Sequence, residues 1–202
     1  ISSLSRHSRY YKTRTVPAMR TWARPFPHVW VPMADTPYAR ALVEDCESET
    51  VVGVGGAVFE EFYCDGDGRR RPDTKPIVLF DCKNLEEERG DSLCDEYYGP
   101  GICCVWQQAI RYLYMAHPDL LDTVKWVVVG DDDNYYHPAS FRELLSRLDH
   151  REPVTTALDT PKPFFGAPDA HMCARTGRLA GPFVQPLIVS IAGLLALRGG
   201  LD

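Results

Sequence analysis

Three consecutive carboxylates, Asp131, Asp132 and Asp133, follow the apolar run Trp126-Val127-Val128-Val129 and a single glycine, Gly130. Like charges repel, so several carboxylates side by side are costly unless a cation shares them. In a near-extended backbone Asp131 and Asp133 point one way and Asp132 the other. Two oxygen ligands on one side suit a hard divalent ion, Mn2+ or Mg2+, especially one that also holds a substrate phosphate. The bland alternative is helix capping, because Asn134 and a helix predicted to open at Pro138 come next. A cap uses only one acid. Three acids directly after an apolar strand favour the metal.

The elements that position these acids can be read outward from them. The run 125–129 is continuous and apolar, as expected of a strand covered on both faces in an α/β sheet, and ligands of such sheets bind outside the carboxyl ends of the strands. Residues 138–148 (PASFRELLSRL) predict a helix with proline in its first turn. Upstream, 99–117 carries an apolar stripe at Ile102, Val105, Trp106, Ala109, Ile110 and Leu113, which predicts a helix. Residues 76–80 (PIVLF) read as a short buried strand, 28–33 (HVWVPM) as another ending at Ala34-Asp35-Thr36, and 10–23 as a helix with Pro17 marking a first turn or a kink. The Gly-rich stretch 51–59 reads as a strand with an irregular middle; it has no GxGxxG pattern and no helix start behind it, so a phosphate loop is disfavoured. Residues 64–76 are a polar surface loop. Asp65 and Asp67 there lack the closing Glu of a calcium loop, and the three arginines read as solvated charges. Alternating strands and helices predict a largely parallel α/β sheet. The uncharged tail 179–197 reaches the length of a membrane span, roughly 17–25 residues, but Pro182, Gln185 and Pro186 favour a buried core segment.

With 202 residues, 45% hydrophobic and 25% charged, the chain can bury a core and is not disordered by composition. The net charge of -6 argues against a nucleic-acid-binding face. Seven cysteines (Cys46, Cys64, Cys82, Cys94, Cys103, Cys104, Cys173) suit an oxidising compartment, with an odd thiol left over. No CxxC or His-x-His spacing supports zinc. The pairing of the cysteines stays open. The chain opens at Ile1 inside a segment that reads as structured, and is expected to be part of a longer protein.

The segment KWVVVGDDDNYYHPASFRELLSRLDHREPV, residues 125–154, resembles the metal-binding centre of Fringe-like glycosyltransferases, in the β-1,3-glycosyltransferase group with a GT-A fold. In that group an apolar strand headed by Trp meets Asp-Asp-Asp, then Asn or Thr, an aromatic residue and a helix. The segment TRTVPAMRTWARPFPHVWVPMADT, residues 13–36, is similar to the family's early pattern of an arginine, a helix ending in Thr-Trp, a strand and an aspartate. The resemblance covers roughly residues 9–157 and implies a nucleotide-sugar-binding domain over 1–157, with a Rossmann-like, mostly parallel sheet flanked by helices. After Val154 the chain departs from the pattern: the Gly-Gly-x-Gly segment, the later acidic pair and the late histidine are not recognisable. Residues 158–202 are therefore read as a divergent C-terminal segment, an acceptor half that is truncated or altered.

The resemblance implies a role for each matching residue. Asp133 is the principal metal ligand, with Asp131 supporting it; Asp131 and Asp132 contact the donor's sugar or ribose; Asp35 and Arg14 meet the nucleotide and its diphosphate. No catalytic base is assignable. The implied activity is that of a hexosyltransferase moving a sugar from a UDP-sugar to an acceptor hydroxyl with inversion, dependent on Mn2+ or Mg2+. The acceptor is a glycan or glycoprotein, and the setting the lumenal side of the Golgi or another secretory membrane, with a type II anchor upstream. Against this stand two other functions: a non-catalytic or truncated relative that binds a nucleotide or a protein, and a metal-dependent nucleotidyl or phosphoryl transferase. The second requires a Lys or Arg cluster to grip a triphosphate, and the basic residues here are scattered. Local alternatives also exist. Asp35 before Thr36-Pro37 is placed to cap the next helix, Arg14 to face solvent, Trp22 to anchor the core and His137 to sit in a surface turn.

Overall fold

Proline and its neighbours set the first elements. A computed structural model describes residues 11–65, 69–71, 73–81, 102–130, 135–152, 164–165 and 187–197. A π-helical turn, Tyr11–Thr15, leads into helix α1, Val16–Arg20, with Pro17 in its first turn, where a missing N–H costs nothing. Strand β1, Val31–Ala34, runs into helix α2, Pro37–Val43. Thr36, extended at φ -122°, caps α2: its hydroxyl accepts from the Ala39 N–H at 3.1 Å, and Pro37 follows. The cap is thus Thr36 rather than Asp35.

Strands β2, Glu47–Val52, and β3, Val58–Tyr63, form an antiparallel hairpin. The irregular middle expected within 51–59 is the turn itself, a 3-10 segment at Val54–Gly56. Gly55 (φ 77°) and Gly56 (φ 79°) take the left-handed conformation that only glycine adopts freely. At the open end of the hairpin, one step beyond the Glu47–Tyr63 pair, a disulfide joins Cys46 and Cys64.

Strand β4, Ile77–Phe80, completes a four-stranded sheet in the order β1-β4-β3-β2. Only β1 and β4 are parallel; β3 lies antiparallel to both of its neighbours. Period-two alternation sends Ile77 into one core with Val31, Met33, Phe62, Met19 and Val43. Val78 and Phe80 enter a second core with Val105 and Tyr112, which belong to helix α3, Ile102–Ala116. Burial on both faces explains the unbroken apolar run of β4.

A second unit comprises 118–130 and 137–202; the first comprises 1–117 and 131–136. Among the second unit's described residues are helix α4, Pro118–Thr123, strand β5, Trp126–Val129, helix α5, Pro138–Ser146, strand β6, Phe164–Phe165, strand β7, Leu187–Ser190, and helix α6, Ile191–Leu197. The sheet order is β5-β7-β6, with both pairings antiparallel. Val127 stands opposite Val189, so the strand before the acids pairs with the apolar tail. Ile188, Val189 and Leu194 are buried, which places part of the described stretch 187–197 in a core, while residues 179–186 of the tail lie outside the described residues; among the described residues no helix is long and apolar enough to cross a membrane. Ser190 satisfies its own burial, donating to the Glu152 carbonyl at 3.0 Å and accepting from the Gly193 N–H at 3.0 Å as α6 begins.

Two expectations therefore read differently in the structure. Alternation predicted a mostly parallel sheet, whereas one of the five described strand pairings is parallel. The short turn between β2 and β3 permits only antiparallel pairing, since a parallel return needs a crossover of a dozen residues or more. Strand β5 was expected to be covered on both faces. Trp126, Val127 and Val128 are half-buried and only Val129 is buried, and among the described residues β5 has a sheet neighbour on one side alone.

Candidate functional site

Asp131, Asp132 and Asp133, the centre of the site expected from sequence, lie outside the described residues together with Asn134. Description resumes at the two tyrosines directly after them. Tyr135 is exposed, with 69% of its surface open to solvent. Tyr136 turns inward and packs edge-on against Trp22, with ring centroids 4.7 Å apart and planes at 84°. Trp22 belongs to a buried cluster with Ala18, Ala23 and Val29, against which Phe26 and Tyr136 also pack. Its role as a core anchor is thus observed. The backbone just after α1 holds it: Thr21 N–H donates to Pro17 at 3.0 Å and Ala23 N–H to Ala18 at 3.0 Å. The next residue after Tyr136, His137, caps α5, its Nδ1 accepting from the Ser140 N–H at 3.4 Å. The cap of this helix is therefore a histidine.

Asp35 stands directly after β1, its N–H donating to the Phe80 carbonyl at 2.8 Å, so it lies at the carboxyl edge of the one parallel pair. Arg40 grips it with both arms, Nε to Oδ1 at 2.7 Å and a terminal nitrogen to Oδ2 at 2.8 Å. The Arg40 guanidinium, raised by that hydrogen bond, stays charged at any ordinary pH. Arg40 is 55% exposed, so the pair contributes under about 1 kcal/mol. Arg14 is exposed on the π-helical turn. Arg14 and Asp35 therefore belong to separate elements. Val29, in the Trp22 cluster, precedes β1, whereas Asp35 follows it.

Sequence reasoning missed a buried polar network around Glu61. Glu61 is 4% exposed on β3. One of its oxygens accepts from the Tyr63 hydroxyl at 2.5 Å. The other accepts from the Tyr112 hydroxyl and from Trp30 Nε1 at 3.3 Å, with His117 Nε2 also at 3.3 Å. Since Tyr112 spends its proton on Glu61, the His117 Nε2 proton is shared between the Tyr112 oxygen, 2.7 Å away, and Glu61. Burial is the largest single influence on Glu61 and opposes its charge. The hydrogen bonds from His117, Tyr112 and Tyr63 together outweigh burial and hold the carboxyl at about 2. Burial and the neighbouring Glu61 carboxylate push both tyrosine hydroxyls well above their ordinary value. A carboxylate saturated with donors and two tyrosines locked in the protonated form make a clasp between β3 and α3, not a base or a nucleophile. The signal in sequence is one acid, Glu61, in phase with Phe59 and Tyr63 on a strand.

The polar loop is also more ordered electrostatically than its composition implied. Arg70 pairs with Glu49 at 2.6 Å and lies 4.0 Å over the Tyr63 ring; Arg71 pairs with Asp65 at 2.6 Å. Among the described residues no group of three or more His, Cys, Asp or Glu side chains is arranged to hold a metal ion. No protein-family model matches the chain, and no curated protein or solved structure matches it.

Proposed function

We propose that this chain is a metal-dependent glycosyltransferase of GT-A-like fold, moving a sugar from a UDP-sugar to the hydroxyl of a glycan or glycoprotein with inversion, in the lumen of a secretory compartment. The observation that carries the reading is the run of three acids immediately after an apolar strand. Their donor set is entirely carboxylate oxygen, the set that hard divalent ions such as Mn2+ and Mg2+ prefer. Further support comes from the contact between Trp22 and Tyr136, which joins the two segments the resemblance rests on. The Cys46–Cys64 disulfide suits an oxidising compartment.

In this reading Asp133 and Asp131 hold the ion, and Asp131 and Asp132 face the donor's sugar or ribose. When bound, the ion offsets the charge that builds on the departing diphosphate. Arg14 adds a positive charge toward that diphosphate. Asp35 contacts the nucleotide from the carboxyl edge of the parallel pair, the edge at which ligands of such sheets bind. A carboxylate positioned to take the acceptor's proton is still required, and no described residue is assigned to it. Glu61 is excluded from that role, because its charge is committed to three protein donors.

The test is a thermal-shift series with Mn2+ and a panel of nucleotide sugars. The expected result is stabilisation by a UDP-sugar that requires Mn2+ and disappears in Asp133→Ala, whose melting temperature without ligand stays that of the unsubstituted chain. No Mn2+-dependent stabilisation by any nucleotide sugar, or its persistence in Asp133→Ala, overturns the reading.

A further inference from the structure

We propose that the outer edge of strand β2 is a self-association surface, on which a second copy of this chain pairs antiparallel about a two-fold axis at Thr50; the inference stands apart from the glycosyltransferase reading. Among the described residues β2 has one sheet neighbour, β3, and every residue of β2 except Val51 is exposed. An exposed strand edge offers a row of N–H and C=O groups to another chain. One step beyond the Val52–Val58 pair, the Gly53 N–H donates to the Ala57 carbonyl at 2.6 Å, so the Gly53 backbone faces β3. Alternation then turns the backbone groups of Val51, Glu49 and Glu47 toward β3 and those of Val52, Thr50 and Ser48 outward. Charge commonly guards such an edge. The charges on β2 are Glu47 and Glu49, and Arg70 engages both: its backbone N–H donates to Glu47 at 3.2 Å, and its guanidinium pairs with Glu49 at 2.6 Å while lying 4.0 Å over the Tyr63 ring. Tyr63 is the cross-strand partner of Glu47, so these contacts occupy a face of the sheet rather than its edge.

The direction of the backbone groups restricts the register. Outward groups must meet outward groups, so Ser48, Thr50 and Val52 pair only among themselves. With Thr50 opposite Thr50 of the second copy, Ser48 meets Val52 and Val52 meets Ser48, and all the outward residues are hydrogen-bonded. Between them Glu49 faces Val51 and Glu47 faces Gly53, so no acid stands opposite an acid. Sliding the copies to the neighbouring register in one direction sets Glu49 against Glu49; sliding them in the other leaves one outward residue of each copy unpaired. The favoured register is isologous, the same surface serving both copies. A single strand pair is a small interface, so the association is weak and concentration-dependent.

Sedimentation velocity of the full chain, from micromolar to sub-millimolar concentration, reads the association; a shift from monomer to dimer mass is expected. Thr50→Lys and Thr50→Glu each set like charges against one another across the axis and should weaken self-association about fivefold. An equimolar mixture of the two sets Lys against Glu and should associate at least as strongly as the unsubstituted chain. Thr50 is exposed, so both variants are expected to fold. Should either fail, Thr50→Pro replaces it: the Thr50 N–H points away from β3, so proline removes an outward donor without breaking the hairpin ladder, and dimerisation should fall. A monomer at every concentration overturns the inference. A dimer that no substitution at Thr50 weakens also overturns it, as does a mixture that associates no better than its components.

Discussion

Glu61→Gln should flatten the acid limb of the stability curve. The Glu61 carboxyl sits at about 2 in the folded chain against an ordinary 4.5, and its side chain is 5% exposed, so solvent screens its hydrogen bonds little. That gap corresponds to about 3 kcal/mol of folding free energy contributed by the ionised, hydrogen-bonded carboxylate. The sign is fixed by the direction of the shift. A depressed carboxyl stabilises the fold above its unfolded value of 4.5, and the contribution drains away as the pH falls from there through about 2. Glutamine keeps an acceptor for Tyr112 or Tyr63 but has no proton to gain. Urea unfolding measured by tryptophan fluorescence, at a series of pH values from neutral down to about 2, reads the difference; Trp30 donates directly to Glu61 and reports on the network. The original chain should lose about 3 kcal/mol more than Glu61→Gln across that window. Equal acid sensitivity in the two proteins would refute the claim that donors, not burial, decide the charge of Glu61.

Two further substitutions test the hairpin. A Cβ at Gly53 would come within 2.8 Å of the Met115 carbonyl oxygen, a backbone atom of α3 that cannot swing aside; Gly53→Ala should cost about 1–3 kcal/mol in urea unfolding, and a neutral effect would mean that α3 does not press on this turn. The Cys46–Cys64 bridge closes a sequence separation of 18, worth about 3 kcal/mol of chain entropy in the unfolded state. The double substitution to serine should lower stability by about that amount under oxidising conditions and make it insensitive to reductant; continued sensitivity would point to a different pair.

Local pattern made some of this molecule legible in the chain itself. Pro17 and Pro138 marked first turns because a proline lacks the N–H that those positions leave unsatisfied. The unbroken run of β4 announced a short buried strand, and the apolar tail announced a core segment, which the buried Ile188, Val189 and Leu194 of its described stretch bear out. The acid run was visible because three like charges in succession are improbable without a reason that lies in chemistry.

Other features depend on contacts that no local pattern encodes. Strand direction between β5 and β7 is set by which distant segment returns, and the tail that pairs with β5 lies some sixty residues along the chain. The helical stripe expected on α3 included Val105, which is buried, and Ile110 and Leu113, which are half-buried; Tyr112, outside that stripe, is fully buried, its hydroxyl meeting Glu61 on a strand fifty-one residues away. Asp35 proved to be held by Arg40, and the helix cap fell to Thr36, since a hydroxyl one residue nearer the helix reaches the Ala39 N–H directly. The sequence determined which residues could carry charge, turn or burial; the tertiary structure decided which of them meet, because hydrogen bonds and ring contacts are matters of distance in space rather than along the chain.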